Sequence, residues 1–195
     1  MRLEFLPAFE AAIAEEIERG SWTSRRDALG VALGLHGLRV SEVSRLRRKD
    51  LFVPAQRLYV ETLKGGRPRE LSLHDSMVAA LLDWHAGASC PWLLFTRPGR
   101  RVHPSQFRRA ARRLTHRVVG EPLRFHSLRH TFAQRVYFQT PDWSLVQRLL
   151  GHRSIRSTEV YVQSLLEQPD SSLVRLDAPA PPVTERPQLR IFNAG

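Results

Sequence analysis

The chain has 195 residues, 42% of them hydrophobic, which suits one core of ordinary size and argues against a chain disordered throughout. Thirty Lys and Arg against 19 Asp and Glu leave a formal charge of +11, which points to a polyanionic partner, nucleic acid first and an anionic membrane surface second. The longest uncharged stretch in the middle of the chain, Trp84 to Thr96, is shorter than the roughly 20 apolar residues of a membrane span, and the N-terminus carries Glu4 and Glu10 rather than a secretory apolar core.

In chain order, residues 7–19 (PAFEAAIAEEIER) read as a helix that opens on Pro7 and ends before Gly20. A second helix is expected over 23–36, with Gly37 as its stop, followed by a short helix carrying Val40, Val43 and Leu46 at helical spacing. The period then changes. RLYVETL (57–63) and RELSLH (69–74) alternate apolar and polar residues around KGGRP, the pattern of a β-hairpin. Residues 75–86 read as helical, WLLFT (92–96) as a short buried strand or extended segment, and 104–118 as a helix rich in arginine. Helices near 126–139, 141–150 and 157–167 follow, with Thr140 and Pro141 as the start signal of the middle one. Five of the 13 prolines fall from Pro169 onward, so 169–195 reads as a tail apart from a domain at 1–168. Cys90, the single cysteine, cannot form an internal disulfide and suits a reducing cytoplasm.

Eight arginines, at 97, 100, 101, 108, 109, 112, 113 and 117, stand between Arg97 and Gly120 with no acidic residue among them. A duplex backbone would suit such a segment, because each cation near a phosphate releases condensed counterions. The other reading is a solvated arginine-rich face with no partner.

The densest local cluster is RFHSLRHTFA (124–133), with Arg129 between His126 and His130. A zinc-protease helix needs glutamate directly after its first histidine, and Ser127 stands there instead; Arg129 would also repel a divalent cation, so no metal is expected. An oxyanion fits better, because a guanidinium presents a fixed fork of donors to phosphate oxygens and an imidazole exchanges protons near neutral pH. Arg39 with Glu42 three residues on, Lys64 in the hairpin turn, His152 after the helix-ending Gly151, and Tyr161 complete a set of chemistry-bearing residues. Lys64 stands out because the chain has only two lysines, and an ammonium, unlike a guanidinium, can release a proton.

GLRVSEVSRL, LKGGRPRELSL, HSLRHTFA and VQRLLGHRSIRSTEVYVQ together resemble the four motifs of the tyrosine recombinases, the phage-integrase family, in that family's order and spacing from about residue 22 to 166. The resemblance implies an α+β fold, mainly α-helical, with a small antiparallel β-sheet. It implies Tyr161, Arg39, Lys64, His126, Arg129 and His152 as catalytic residues, with Glu42 and His130 in support. Arg97, Arg100, Arg101, Arg108, Arg109, Arg112 and Arg113 would then face the DNA backbone. The implied activity is site-specific strand exchange through a 3′-phosphotyrosine without metal, ATP or other cofactor, at home in the cytoplasm with the nucleoid. Its rivals are relaxation of the type IB topoisomerase kind and a non-catalytic DNA-binding regulator.

Members of the family usually carry a helical DNA-clamping domain before the first arginine box, and this chain has only a short stretch there. Weak, strongly salt-dependent binding to double-stranded DNA is therefore expected, helped by self-association as a dimer or tetramer or by an accessory clamping protein. The apolar segment QLRIFNAG (188–195) is the part of the tail expected to dock on a neighbouring protomer, the alternative being a disordered end.

Overall fold

A computed structural model describes residues 1–62 and 66–151. Lys64 at the hairpin tip, His152, Tyr161, the expected helix over 157–167 and the tail all lie outside the described residues.

Helix α1 (Leu6–Arg19) has Pro7 in its first turn and buries Leu6, Phe9, Ile13 and Ile17 along one stripe. Helix α2 (Trp22–Leu35) starts at Ser21, whose side chain accepts from the Ser24 N–H, and every residue from Arg26 to Leu35 is buried. A helix apolar all round is one that other elements enclose. Its two buried charged residues pair with each other, with Arg26 Nη2 2.6 Å from Asp27 Oδ1. Gly37 follows with φ +83°, a left-handed turn that reverses the chain where an added Cβ would lie 2.6 Å from the Phe132 ring.

The short helix α3 (Val40–Val43) ends before Leu46, because residues 46–48 pair instead with the segment at 91–93. A sheet of three antiparallel strands follows, in the order β1 (Leu51–Phe52), β2 (Arg57–Val60) and β3 (Arg69–Ser72). The expected hairpin is present as β2 and β3, with Leu58 opposite Leu71 and Val60 opposite Arg69. Strand β1 has only two residues, too few to show an alternation in sequence. Helix α4 (Asp75–His85) comes next.

WLLFT forms no strand. Its pairing is limited to single bridges, Trp92 with Arg47 and Phe95 with Arg101, although Leu93, Leu94 and Phe95 are buried as anticipated. Helix α5 (Pro104–Val119) turns Phe107, Ala110, Ala111 and Leu114 to the core and its arginines outward. Helix α6 (Phe125–Gln139) packs against α2, and α7 (Trp143–Leu150) closes the described chain. The start signal of α7 differs from the expected one. Thr140 ends α6 in an extended conformation, and Asp142 caps α7 by accepting from the Ser144 N–H at 2.8 Å. A carboxylate at the N-cap also meets the positive end of the helix dipole, which a threonine hydroxyl does not match. No helix among the described residues is long and apolar enough to cross a membrane.

Candidate active site

The site is organised around one buried carboxylate. Glu42 is the third residue of α3 and reaches back to the residue that precedes the helix, so its Oε2 accepts the Arg39 backbone N–H at 2.7 Å. Glu42 Oε1 accepts from Arg39 Nη1 at 2.9 Å, the ion pair expected from their spacing. Arg69, which the sequence reading did not single out, approaches the same carboxylate with both terminal nitrogens, Nη1 at 3.2 Å from Oε1 and Nη2 at 2.9 Å from Oε2. Arg129 Nη1 lies 3.9 Å from Oε2. Burial alone would raise the Glu42 pKa, but the Arg69 guanidinium, the Arg39 N–H and the charge of Arg129 outweigh it and hold the carboxyl below its ordinary value.

Arg129 projects from the buried face of α6 and has 0% of its surface exposed. Its Nη1 donates to the Gly37 carbonyl, and its Nη2 to the Leu150 carbonyl at 2.6 Å. Helix ends leave carbonyls without intrahelical partners, and Arg129 meets such groups at the ends of α2 and α7. Arg39 differs, since its side chain is 34% exposed and lines a cleft of about 370 Å³. Around that cleft stand Arg108, Arg112, Arg124 and His126.

His126 and His130 lie one turn apart on α6 with ring centroids 4.7 Å apart, edge to face. Burial, then the charges of Arg129 and Arg39, lowers the His126 pKa below its ordinary value. His130 is pushed down to about 4 by burial, by His126, by the chain's amino terminus and by Arg129. Both imidazoles are therefore neutral at pH 7, able to accept a proton or donate one hydrogen bond.

The arginine-rich segment divides among several surroundings. Arg108 and Arg112 join the cleft. Arg97 lies over the Trp22 ring and Arg101 over the Trp92 ring, while Arg109 and Arg113 act on Asp27. Arg117 is compensated, donating to Glu16 at 2.9 Å. Arg124 was not foreseen as part of the set; its signal was its place directly before the helix that carries His126.

Three guanidinium groups gathered on one buried carboxylate, an open basic cleft and a neutral imidazole at its wall make a site able to bind an oxyanion and move a proton beside it. The phage integrase family model matches residues 11–168. The chain is 35% identical over 157 residues to the tyrosine recombinase XerC of Chromohalobacter salexigens, covering 75% of this chain and 52% of the relative. It is 29% identical over 152 residues to the type 1 fimbriae regulatory protein FimB of Escherichia coli K12, covering 74% of this chain and 76% of that one. Among solved structures, the XerH site-specific recombinase bound to its difH substrate superimposes with a TM-score of 0.72 at 23% identity, covering 86% of this chain and 50% of XerH. The chain belongs to the phage integrase family. It spans about half the length of the curated XerC relatives it matches.

Proposed function

We propose that the chain is the strand-cleaving and rejoining part of a site-specific tyrosine recombinase, acting on double-stranded DNA. The observation that carries this reading is the convergence of Arg39 and buried Arg129 on Glu42, with Arg39 opening onto a cleft that Arg108, Arg112, Arg124 and His126 also line.

The Tyr161 hydroxyl attacks the scissile phosphorus, forming the phosphotyrosine bond as the bond to the 5′ oxygen breaks. Tyrosine ordinarily loses its proton near pH 10, so at neutral pH a base must take it, and neutral His126 is that base. Lys64 protonates the departing 5′ oxygen. Arg39 from the cleft side, Arg129 from the buried side and His152 stabilise the charge that builds on the non-bridging oxygens. The phosphotyrosine keeps the phosphoester energy, so a second 5′ hydroxyl can reverse the step and rejoin the strand without metal or ATP.

Strand exchange needs copies of the chain assembled on DNA, and an accessory clamping protein is a further partner of this reading. The reading puts the protein in the cytoplasm with the nucleoid, divided into a catalytic part at 1–168 and a docking tail at 169–195.

The test uses nicked suicide duplexes cut from the DNA flanking the gene. Wild-type protein is expected to form a covalent adduct and Tyr161→Phe none. An adduct with Tyr161→Phe would sink the mechanism, and no adduct from wild type would favour a DNA-binding regulator. Lys64→Arg is expected to bind the duplex as wild type does and to cleave at least about a hundredfold more slowly.

A further inference from the structure

We propose that Arg69 is a positioning residue of this site, holding Glu42 so that Arg39 and Arg129 keep a fixed spacing, and tying that anchor to the turn that leads into His152. The inference rests on the recombinase reading for its effect on catalysis, but not for its geometry.

Arg69 is the first residue of β3 and lies on the same face as Leu71, buried in the core. Its two terminal nitrogens grip the two oxygens of Glu42, a fork-on-fork arrangement that fixes the plane of the carboxylate as well as its position. Arg39 takes its direction from that plane through Oε1. Arg69 Nη2 also reaches the Gly37 carbonyl at 3.4 Å, the group to which Arg129 donates. Arg69 thus touches both groups that locate Arg129 on this side, the carboxylate and the carbonyl.

The other side of Arg69 faces α7. A Cβ added to Gly151 would stand 3.1 Å from Arg69 Nη1 and 3.2 Å from its Cδ, so only glycine lets the helix end lie this close. The Arg67 backbone N–H, two residues before β3, meets the Gly151 carbonyl at 3.4 Å, extending the contact into the segment that leads into the strand. Arg69 thus stands between the anchor of Arg39 and Arg129 and the end of α7, and His152 is the next residue in sequence after that glycine. A lysine at 69 would keep the charge yet offer a point donor in place of a planar fork, and the carboxylate would be free to turn.

Arg69→Lys and Arg69→Gln are compared with Arg57→Lys, which alters an exposed hairpin arginine paired with Glu70. Circular dichroism and thermal melting check the fold. Guanidinium 1H–15N spectra, assigned with Arg39→Lys and Arg129→Lys, read the arginine positions without DNA. The expected result for Arg69→Lys is a folded protein with shifted Arg39 and Arg129 signals. Its cleavage of bound suicide duplex falls by about tenfold or more while DNA affinity stays within about twofold, and little further loss appears on adding Arg69→Lys to Arg39→Lys. Arg57→Lys is expected to match wild type throughout.

Unshifted guanidinium signals, or losses that multiply in the double variant, would overturn the proposal. So would unfolding of both Arg69 variants, which would make Arg69 a residue of the core alone. If wild type itself forms no adduct, the recombinase reading fails and the spectra still decide whether Arg69 positions the two arginines.

Discussion

Arg129 and Arg69 both occupy places where the local period asks for an apolar side chain. Arg129 falls on the stripe of Phe125, Leu128, Phe132 and Val136 along α6, and Arg69 on the Leu71 face of β3. An unpaired buried charge costs far more than a leucine in its place would gain, so such an arginine implies partners gathered around it. That signal was present in the sequence for both, yet only Arg129 was recognised, because it sits between two histidines. His36 makes the complementary point, since it is wholly buried with its Nδ1 3.0 Å from the Ala32 carbonyl, and burial pushes its pKa down to about 4. Between pH 6.5 and about 4 the unfolded chain therefore binds a proton that the folded chain refuses, and stability falls as the pH drops through that window. Urea denaturation of His36→Leu at pH 7.5 and 4.5 is expected to show a smaller loss on acidification than wild type, by about 2.5 kcal/mol. An equal loss in both would remove His36 from the acid sensitivity.

At the scale of elements, helices with a long apolar stripe or a strong cap were legible, as α1, α2 and α5 show. Elements whose limits depend on a partner were not. The short helix α3 stops where the chain turns to meet Trp92, and β1 exists only because β2 lies beside it. The end of α7 also illustrates this dependence. Gly151 has φ +67°, and an added Cβ would lie 2.9 Å from the Arg67 carbonyl oxygen. Glycine after a helix is common enough to read as a stop, but the close approach of β3 could not be read from it. Gly151→Ala is expected to destabilise the fold by more than the about 1–2 kcal/mol of the left-handed backbone itself, because the strand must also move. A melting temperature within error of wild type would show that the α7–β3 contact yields freely.

Over the whole molecule, the net charge of +11 announced a polyanionic partner but not where it lands. The arginines between 97 and 117 look equivalent in sequence. The fold separates them into cleft residues, residues stacked on tryptophan and one compensated by Glu16. If the recombinase reading holds, Arg108→Gln, Arg112→Gln and Arg124→Gln should each lower the slope of log affinity for duplex DNA against log salt by about one. Arg117→Gln is expected to leave that slope unchanged. Equal effects from all four would mean that DNA is bound by diffuse charge rather than by the cleft.

The sequence by itself determined the helical stripes, the hairpin, the family motifs and their order, because these rest on local period, turn chemistry and spacing along one chain. Only the tertiary structure decided that Glu42 carries three arginines, that Arg69 is among them, and that Arg108, Arg112 and Arg124 share a cleft with Arg39 and His126. Those facts depend on side chains brought together from α3, β3, α5 and α6. Distances between residues far apart in sequence are set by packing, and no periodicity within one element encodes them.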